Sequence, residues 1–382
     1  MPFDFDTVID RNGGDSIKWN RYPPGVLPLW VADMDFASPP AVIAALQRRV
    51  AHGVFGYGEV LPSLVEAVQE HLAAEYGWRI AADWLVWLPG LVTGLNVACR
   101  AVGEPGSAVF TATPIYPPFL SAAQNSQQRT VTAPLQLVEG LWQWDYAAVE
   151  AALTADTKLL LLCHPHNPGG RAWREAELDE IAAIARRHDL VVCSDEIHCG
   201  LILEPGLRHV PFAARGEEAA KRSITLMAPS KTFNIPGLGC AFAVIPDAAL
   251  RRCFLAAMQG IVPHVNVLGL AATEAAFRHG GPWRKELLDY LRANRDRVEA
   301  AVAALPGLTL AHVEATYLAW IEVREPGRLR DDPAAGFARA GVGLSAGRDF
   351  GGDAYRSFVR LNFGCPRTTL DAALARIAET VG

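Results

Sequence analysis

Residues 223–246 read SITLMAPSKTFNIPGLGCAFAVIP. Between Arg222 and Asp247 the one charged side chain is Lys231, set among residues suited to burial. Lysine is almost never fully buried without a partner, because desolvating its ammonium costs several kcal/mol. Two readings follow. Either Lys231 carries its head group out to water from a strand end, or it sheds its proton, its pKa falling from about 10.4 by as much as ~3–5 units. A neutral amine attacks carbonyl carbon, so the second reading makes Lys231 a candidate Schiff-base nucleophile.

The apolar runs on either side, SITLMA (223–228) and CAFAVI (240–245), belong to a series that also includes SAVFT (107–111), KLLLLC (158–163) and DLVVCS (189–194). Their unbroken apolar character predicts buried strands of a parallel sheet covered on both faces. Between the second and third of these in chain order lies EAELDEIAAIARRH, with Leu178, Ile181 and Ile184 near helical spacing, acids first and bases last. Strand, helix, strand is the crossover of an α/β domain.

The last hundred residues differ. A long helical stretch (281–305) precedes two strand candidates, TYLAWIEV and SFVRLNF, and a closing helix near 368–381. This predicts a large α/β unit at 46–280 and a smaller, discontinuous α+β unit from 1–45 and 281–382. Gly341-Val-Gly343-Leu-Ser-Ala346 matches a dinucleotide-binding fingerprint, but a helical pattern precedes it and a loop follows, the reverse of what that motif needs.

The composition is that of an ordinary globular protein: 382 residues, 51% hydrophobic, 20% charged, net charge −6. A mildly acidic balance gives no footprint for nucleic acid or an anionic membrane. The aliphatic run Leu159–Leu162 is far too short to span a bilayer, and MPFDFDTVID lacks a secretory pattern. Seven cysteines without a CxxC pair predict reduced thiols in a cytoplasmic protein and no metal site.

In an open parallel sheet, ligands bind beyond the carboxyl ends of the strands. After KLLLLC comes HPHNPGG, after DLVVCS comes DEIH, and after SITLMA comes PSKTFNIPG. Asn167 alone is a turn residue, and Asp195 alone is a helix cap or half of an ion pair. Together with Lys231 they suit pyridoxal phosphate, which needs an amine for its aldehyde, a carboxylate for its ring nitrogen and a donor for its ring oxygen. Arg360 in SFVRLNF shares a strand face with Phe358 and Asn362. Its planar fork calls for a carboxylate, either a substrate's or one within the chain.

The chain resembles fold-type I pyridoxal-phosphate enzymes, and within them the MalY/PatB group of cystathionine β-lyase-like C–S lyases. The resemblance rests on LPLWVADMDF (27–36), HGVFGYG (52–58), TPIYPPF (113–119), HPHNPGGRAW (164–173), SDEIH (194–198), SKTFNIPGL (230–238), TYLAW (316–320) and FVRLNFGCPR (358–367), in order across nearly the whole length. It implies that Lys231 is the Schiff-base lysine and proton carrier, with Asp195 on the ring nitrogen, Asn167 on the ring oxygen and Tyr116 stacked on the ring. It also implies that the amides of Gly90, Leu91 and Val92, with Ser230, hold the phosphate, joined by Tyr57 from the partner subunit of a homodimer. Arg360 then clamps the substrate carboxylate, with Trp30 and Ala32 at the same end and His198 beside the cofactor. His164 stands where relatives often carry asparagine, which bears on substrate preference. The implied reaction is α,β-elimination from an amino acid with sulfur on Cβ, giving a thiol, pyruvate and ammonia. A class I/II aminotransferase shares every one of these residues and is the alternative. A pyridoxal-phosphate-binding regulator would need a DNA-binding extension that is not visible here.

Overall fold

In a computed structural model of the protein, residues 3–324, 329 and 332–381 are described. A seven-stranded sheet forms the centre. Its strands in chain order are β1 (Leu85–Leu88), β2 (Ala108–Thr113), β3 (Arg129–Pro134), β4 (Thr157–Cys163), β5 (Val191–Asp195), β6 (Ser223–Met227) and β7 (Ala241–Val244). Side by side they run β1-β7-β6-β5-β4-β2-β3. The pairs from β3 across to β6 are parallel, whereas β7 is antiparallel to both neighbours.

All five runs expected as strands are strands. CAFAVI departs from the parallel expectation because residues 228–240 contain no crossover helix, and a parallel return needs a long crossover. Two strands of this sheet went unanticipated. Arg129–Pro134 is an edge strand with mostly exposed or half-exposed side chains, so it lacks an apolar run; Leu85–Leu88 is only four residues long.

Both faces of the sheet are covered. Leu159 and Leu161 pack into one cluster with Val109, Ile224 and Leu226, while Leu160 and Leu162 pack into another with Phe110, Leu178, Ile181 and Ile184. Each fully buried leucine contributes roughly 2–3 kcal/mol before ordering entropy is subtracted. The predicted helix is Glu175–Arg187, with glutamates in the first turn and arginines in the last. On the other face helix Leu91–Val102 lies close against the sheet at Gly94, where a Cβ would come 2.9 Å from Leu226 Cδ2.

The C-terminal part holds a four-stranded antiparallel sheet of β8 (Leu308–Leu310), β9 (Leu318–Val323), β10 (Ser345–Ala346) and β11 (Phe358–Asn362), ordered β8-β9-β11-β10. Helices Gly281–Ala303 and Arg367–Val381 pack with it. Leu27–Pro28 pairs in parallel with Val342–Gly343, which ties the N-terminal segment to this part of the chain. That pairing also disposes of the dinucleotide fingerprint: helix Pro333–Arg339 precedes the glycines and a short 3-10 turn, Gly347–Phe350, follows. All seven cysteines are free, with Cys253 alone exposed. Among the described residues no helix is long and apolar enough to cross a membrane.

Candidate active site

Register brings together the strand ends that lead to the expected residues. Cys163 at the end of β4 lies opposite Asp195 at the end of β5, and Asp195 lies opposite Leu226 on β6. The segments that leave these strand ends carry Asn167 and Lys231 to the same edge. There a cavity of about 270 Å³ is lined by Asn167, Asp195 and Lys231, together with Tyr116, His198, Ser230 and Arg360. The start of helix Leu91–Val102 closes one end, with Gly90, Leu91, Val92 and Thr93 in the lining.

Asp195 is buried, and its Oδ1 accepts from Ile197 N at 3.1 Å. Burial pushes its carboxyl up to about 7, against the pull of that amide and of the Lys231 charge. Lys231 Nζ donates to Ala32 O at 2.5 Å. Burial lowers its amine to about 8; the Asp33 and Asp195 charges oppose that shift and the Arg360 charge adds to it. A substantial neutral fraction is therefore present at physiological pH, as a nucleophile requires. The lysine points into the cavity with Asn167 and Asp195, not into bulk water.

Arg360 is buried and has no carboxylate partner among the described residues. Its Nη1 donates to Asn167 Oδ1 and its Nη2 to Trp30 O, each at 2.9 Å, and its guanidinium lies 4.8 Å over the Phe350 ring. Its Nε is buried without a partner among the described residues. Burial lowers the guanidinium to about 10, the mark of a cation short of an anion. Because Arg360 occupies Asn167 Oδ1, the amide nitrogen of Asn167 is left for the cavity. Strand alternation did the sorting here: Val359, Leu361 and Phe363 enter the core, while Arg360 faces the site and Asn362 reaches the carbonyls of Val31 and Asp33.

At the helix end, the first-turn amides have no intrahelical acceptor, a geometry suited to an anion. A Cβ on Gly90 would meet nothing within 4 Å, so space is open beside those amides. Tyr116 is half-buried and leads into helix Pro117–Asn125. His198 is buried, and burial with the Lys231 and Arg360 charges lowers its imidazole to about 3, hence neutral. Two expected residues stand apart. Trp30 meets the site only through its carbonyl, its indole donating to Lys18 O at 3.1 Å. Tyr57 lies outside its own chain's cavity and is fully exposed. His164 does not line the cavity either; it is buried behind it, its ring 4.3 Å from that of His209.

Sequence reasoning missed the groups that hold residues 30–36 over Lys231. Asn362 Nδ2 donates to Val31 O at 2.7 Å and to Asp33 O at 2.9 Å, and the Tyr317 hydroxyl donates to Ala32 O at 3.1 Å. Asn234, at φ 53°, bonds Met34 and Phe36 with its side chain. Lys18 is fully buried, donating to Asp33 O at 2.7 Å and Asp35 Oδ2 at 2.6 Å, while Arg11 binds Asp33 and Asp35. Also missed were Glu196 and His209, both fully buried with Nε2 to Oε2 at 2.7 Å. The single hint was an acid directly after Asp195.

The cavity thus combines a partly deprotonated amine, a carboxylate, an amide donor, a guanidinium with no carboxylate partner among the described residues and a helix start with free amides. The sequence profile of aminotransferase class I and II matches residues 24–377. Cystathionine β-lyase PatB of Bacillus subtilis is 36% identical over 98% of each chain. The crystal structure of OvoB is 49% identical, covers 99% of each chain and superposes with a TM-score of 0.95. That of cystalysin from Treponema denticola, which contains a pyridoxal 5'-phosphate cofactor, is 31% identical over 100% of this chain and 99% of that one, with a TM-score of 0.93. On profile, full-length identity and fold alike, the chain belongs to the aminotransferase class I and II family, in the MalY/PatB cystathionine β-lyase-like group of fold-type I enzymes.

Proposed function

We propose that the protein is a pyridoxal-phosphate-dependent carbon–sulfur β-lyase that cleaves an L-cysteine S-conjugate such as cystathionine into a thiol, pyruvate and ammonia. The observation that carries this reading is the convergence of Lys231, Asp195 and Asn167 in one cavity with an unpaired Arg360. The names of the relatives point the same way.

Bound in this cavity, pyridoxal phosphate supplies an aldehyde that takes up the substrate amine and a ring that draws in the electron pair left at Cα. The chain's own residues do the rest. Lys231 holds the aldehyde and, once freed, removes the Cα proton; its depressed basicity keeps it neutral often enough to do so. Asp195 keeps the ring nitrogen protonated, and the amide nitrogen of Asn167 donates to the ring oxygen. Tyr116 covers one ring face, with His198 neutral alongside. The amides of Gly90, Leu91 and Val92, with the Ser230 hydroxyl, receive the phosphate. Arg360 offers its fork to the substrate carboxylate, which is thereby oriented from the end bounded by Ala32 and the Trp30 carbonyl.

We further propose a homodimer in which Tyr57 reaches the phosphate of the neighbouring subunit. Its full exposure, with Val54, Phe55 and Leu61 each more than half exposed beside it, supports this, since such a patch calls for cover. Buried free thiols support a cytoplasmic location, and the two sheets support a large unit of 46–280 with a smaller one from 1–45 and 281–382.

The test is direct. The purified protein should show the visible-edge absorbance of a lysine-bound cofactor and release pyruvate from cystathionine with no 2-oxo acid present. Product that forms only when a 2-oxo acid acceptor is added would overturn the lyase in favour of an aminotransferase, which uses the same residues and differs in where the proton returns. Light scattering at the mass of a monomer would dispose of the shared site.

A further inference from the structure

One fully buried acid plays no part in the chemistry above. Glu196 follows Asp195 in the chain, and its side chain receives three donors: Ser194 Oγ at 2.9 Å, Phe212 N at 2.9 Å and His209 Nε2 at 2.7 Å. Its protonation state can be read from the imidazole. His209 Nδ1 is buried with no partner among the described residues. A proton on Glu196 directed at Nε2 would move the imidazole N–H to Nδ1, where it would be an orphaned buried donor, and an imidazolium would orphan the same N–H. Orphaned buried donors are rarer than orphaned acceptors. The arrangement that avoids one is a neutral His209 with its proton on Nε2 facing an ionised Glu196.

The next ring repeats the pattern. His164 Nε2 bonds Val210 O at 3.0 Å and its Nδ1 is buried and unpartnered, so it too is neutral. Among the described residues no lysine or arginine pairs with Glu196. Its charge is therefore met by dipoles alone, one residue from Asp195 and away from the cavity. Asp195 is fastened to this layer, its carbonyl accepting from His164 N at 2.9 Å while Glu196 N donates to Leu226 O at 2.8 Å.

We propose that Glu196 is a positioning residue whose uncompensated buried charge, acting through Asp195, holds the proton shared between Asp195 and the ring nitrogen of the cofactor. A second buried anion on the next residue makes loss of that proton costlier, because departure would leave negative charge on both neighbouring residues. Burial pushes the Glu196 carboxyl up to about 7; Ser194 and Phe212 N oppose that rise, and the Nε2–H of His209 gives the ionised form a third donor. This inference rests on the proposed use of pyridoxal phosphate.

The experiment compares two cofactors on the apoprotein: pyridoxal phosphate and its 1-deaza analogue, in which carbon replaces the ring nitrogen. Both carry the aldehyde, the ring hydroxyl and the phosphate, but the analogue has no ring proton for Glu196 to hold. Glu196→Gln should weaken binding of pyridoxal phosphate by about tenfold and leave the analogue within about twofold of wild type. Ser194→Ala, which removes one donor from the carboxylate with little change in shape, should shift binding in the same direction by a smaller factor, and it decides the matter if Glu196→Gln does not fold. Equal weakening of both cofactors, or no change in either, would overturn the inference. A wild-type apoprotein that binds neither would overturn the proposed function itself.

Discussion

The two walls of the cavity are built in opposite ways. The sheet wall carries Asn167, Asp195 and Lys231 at the ends of neighbouring strands, so backbone register delivers them together. The facing wall, residues 30–36, has almost no regular structure. It is pinned instead by side chains far away in sequence: Asn234, Tyr317 and Asn362, with the buried Lys18–Asp35 pair beneath. A wall made by register depends on the whole sheet and tolerates single changes around it. A wall made by side-chain donors depends on each donor. Function should therefore be lost by chemistry on the first wall and by loosening on the second.

The largest effect belongs to the sheet wall. Lys231→Ala should lower pyruvate release by about 10³-fold or more and abolish the visible absorbance band, because it removes both the amine that holds the aldehyde and the base at Cα. The fold should survive, with unchanged thermal unfolding of the apoprotein. On the opposite wall the order reverses. Asp35→Ala strands Lys18, which is fully buried, and also deprives Arg11 and the Trp19 indole of an acceptor. Breaking a buried pair from one side costs about 3–5 kcal/mol, so the urea midpoint should fall sharply. Comparable stability of Asp35→Ala and wild type would break the contrast.

This asymmetry explains what was legible in the sequence. Apolar runs followed by Asn167, Asp195 and Lys231 announce both the sheet and its site, because strand ends put polar residues in a place that sheet geometry already designates. Arg360 was legible too, since strand alternation sorts it away from Val359 and Leu361. The antiparallel return of β7 was hidden in residues 228–240, whose irregular path no periodicity describes. Lys18 was hidden as well. In sequence it reads as a surface lysine in a polar stretch, and only the fold brings Asp35 to within 2.6 Å of its ammonium. Tyr317, just before β9, and Asn362, at the end of β11, sit in stretches that read as core, with nothing local to mark a hydroxyl or amide aimed at residues 31–33. Glu196 beside Asp195 looks like a second surface acid until Phe212 and His209 are seen closing over it.

Arg360 joins the two walls, holding Asn167 on one and the Trp30 carbonyl on the other. Arg360→Lys keeps the charge but loses the fork, and should cost roughly a hundredfold in kcat/KM for the amino-acid substrate, chiefly through KM. A loss confined to kcat would mean that the guanidinium orders the cavity rather than the carboxylate. Next in size is a pH effect on Lys231. Its basicity is lowered by burial to about 8, so the nucleophilic neutral form predominates above that pH and dwindles about tenfold per unit below it. Uptake of pyridoxal phosphate by the apoprotein should accordingly quicken with rising pH and level off above about 8. A half-rise near 10.4, the ordinary lysine value, would show that the amine is not desolvated.

The smallest effect is the sharpest probe of the irregular wall. The Tyr317 hydroxyl is buried and, among the described residues, donates to Ala32 O alone, the same carbonyl that receives Lys231 Nζ. Tyr317→Phe leaves the ring and its packing in place and removes a single donor. Because Ala32 O keeps its bond from Lys231, no acceptor is orphaned, and the cost should be about 1 kcal/mol in urea unfolding with an unchanged slope. Activity should fall only a few-fold, since Asn234 and Asn362 still pin residues 31–36. Loading the cofactor should enlarge the stability difference, because Lys231 then turns from Ala32 to the aldehyde and Tyr317 becomes the sole donor to that carbonyl. An identical cost with and without cofactor would mean that residues 30–36 are held by Asn234 and Asn362 alone, and that the two walls do not communicate through Ala32.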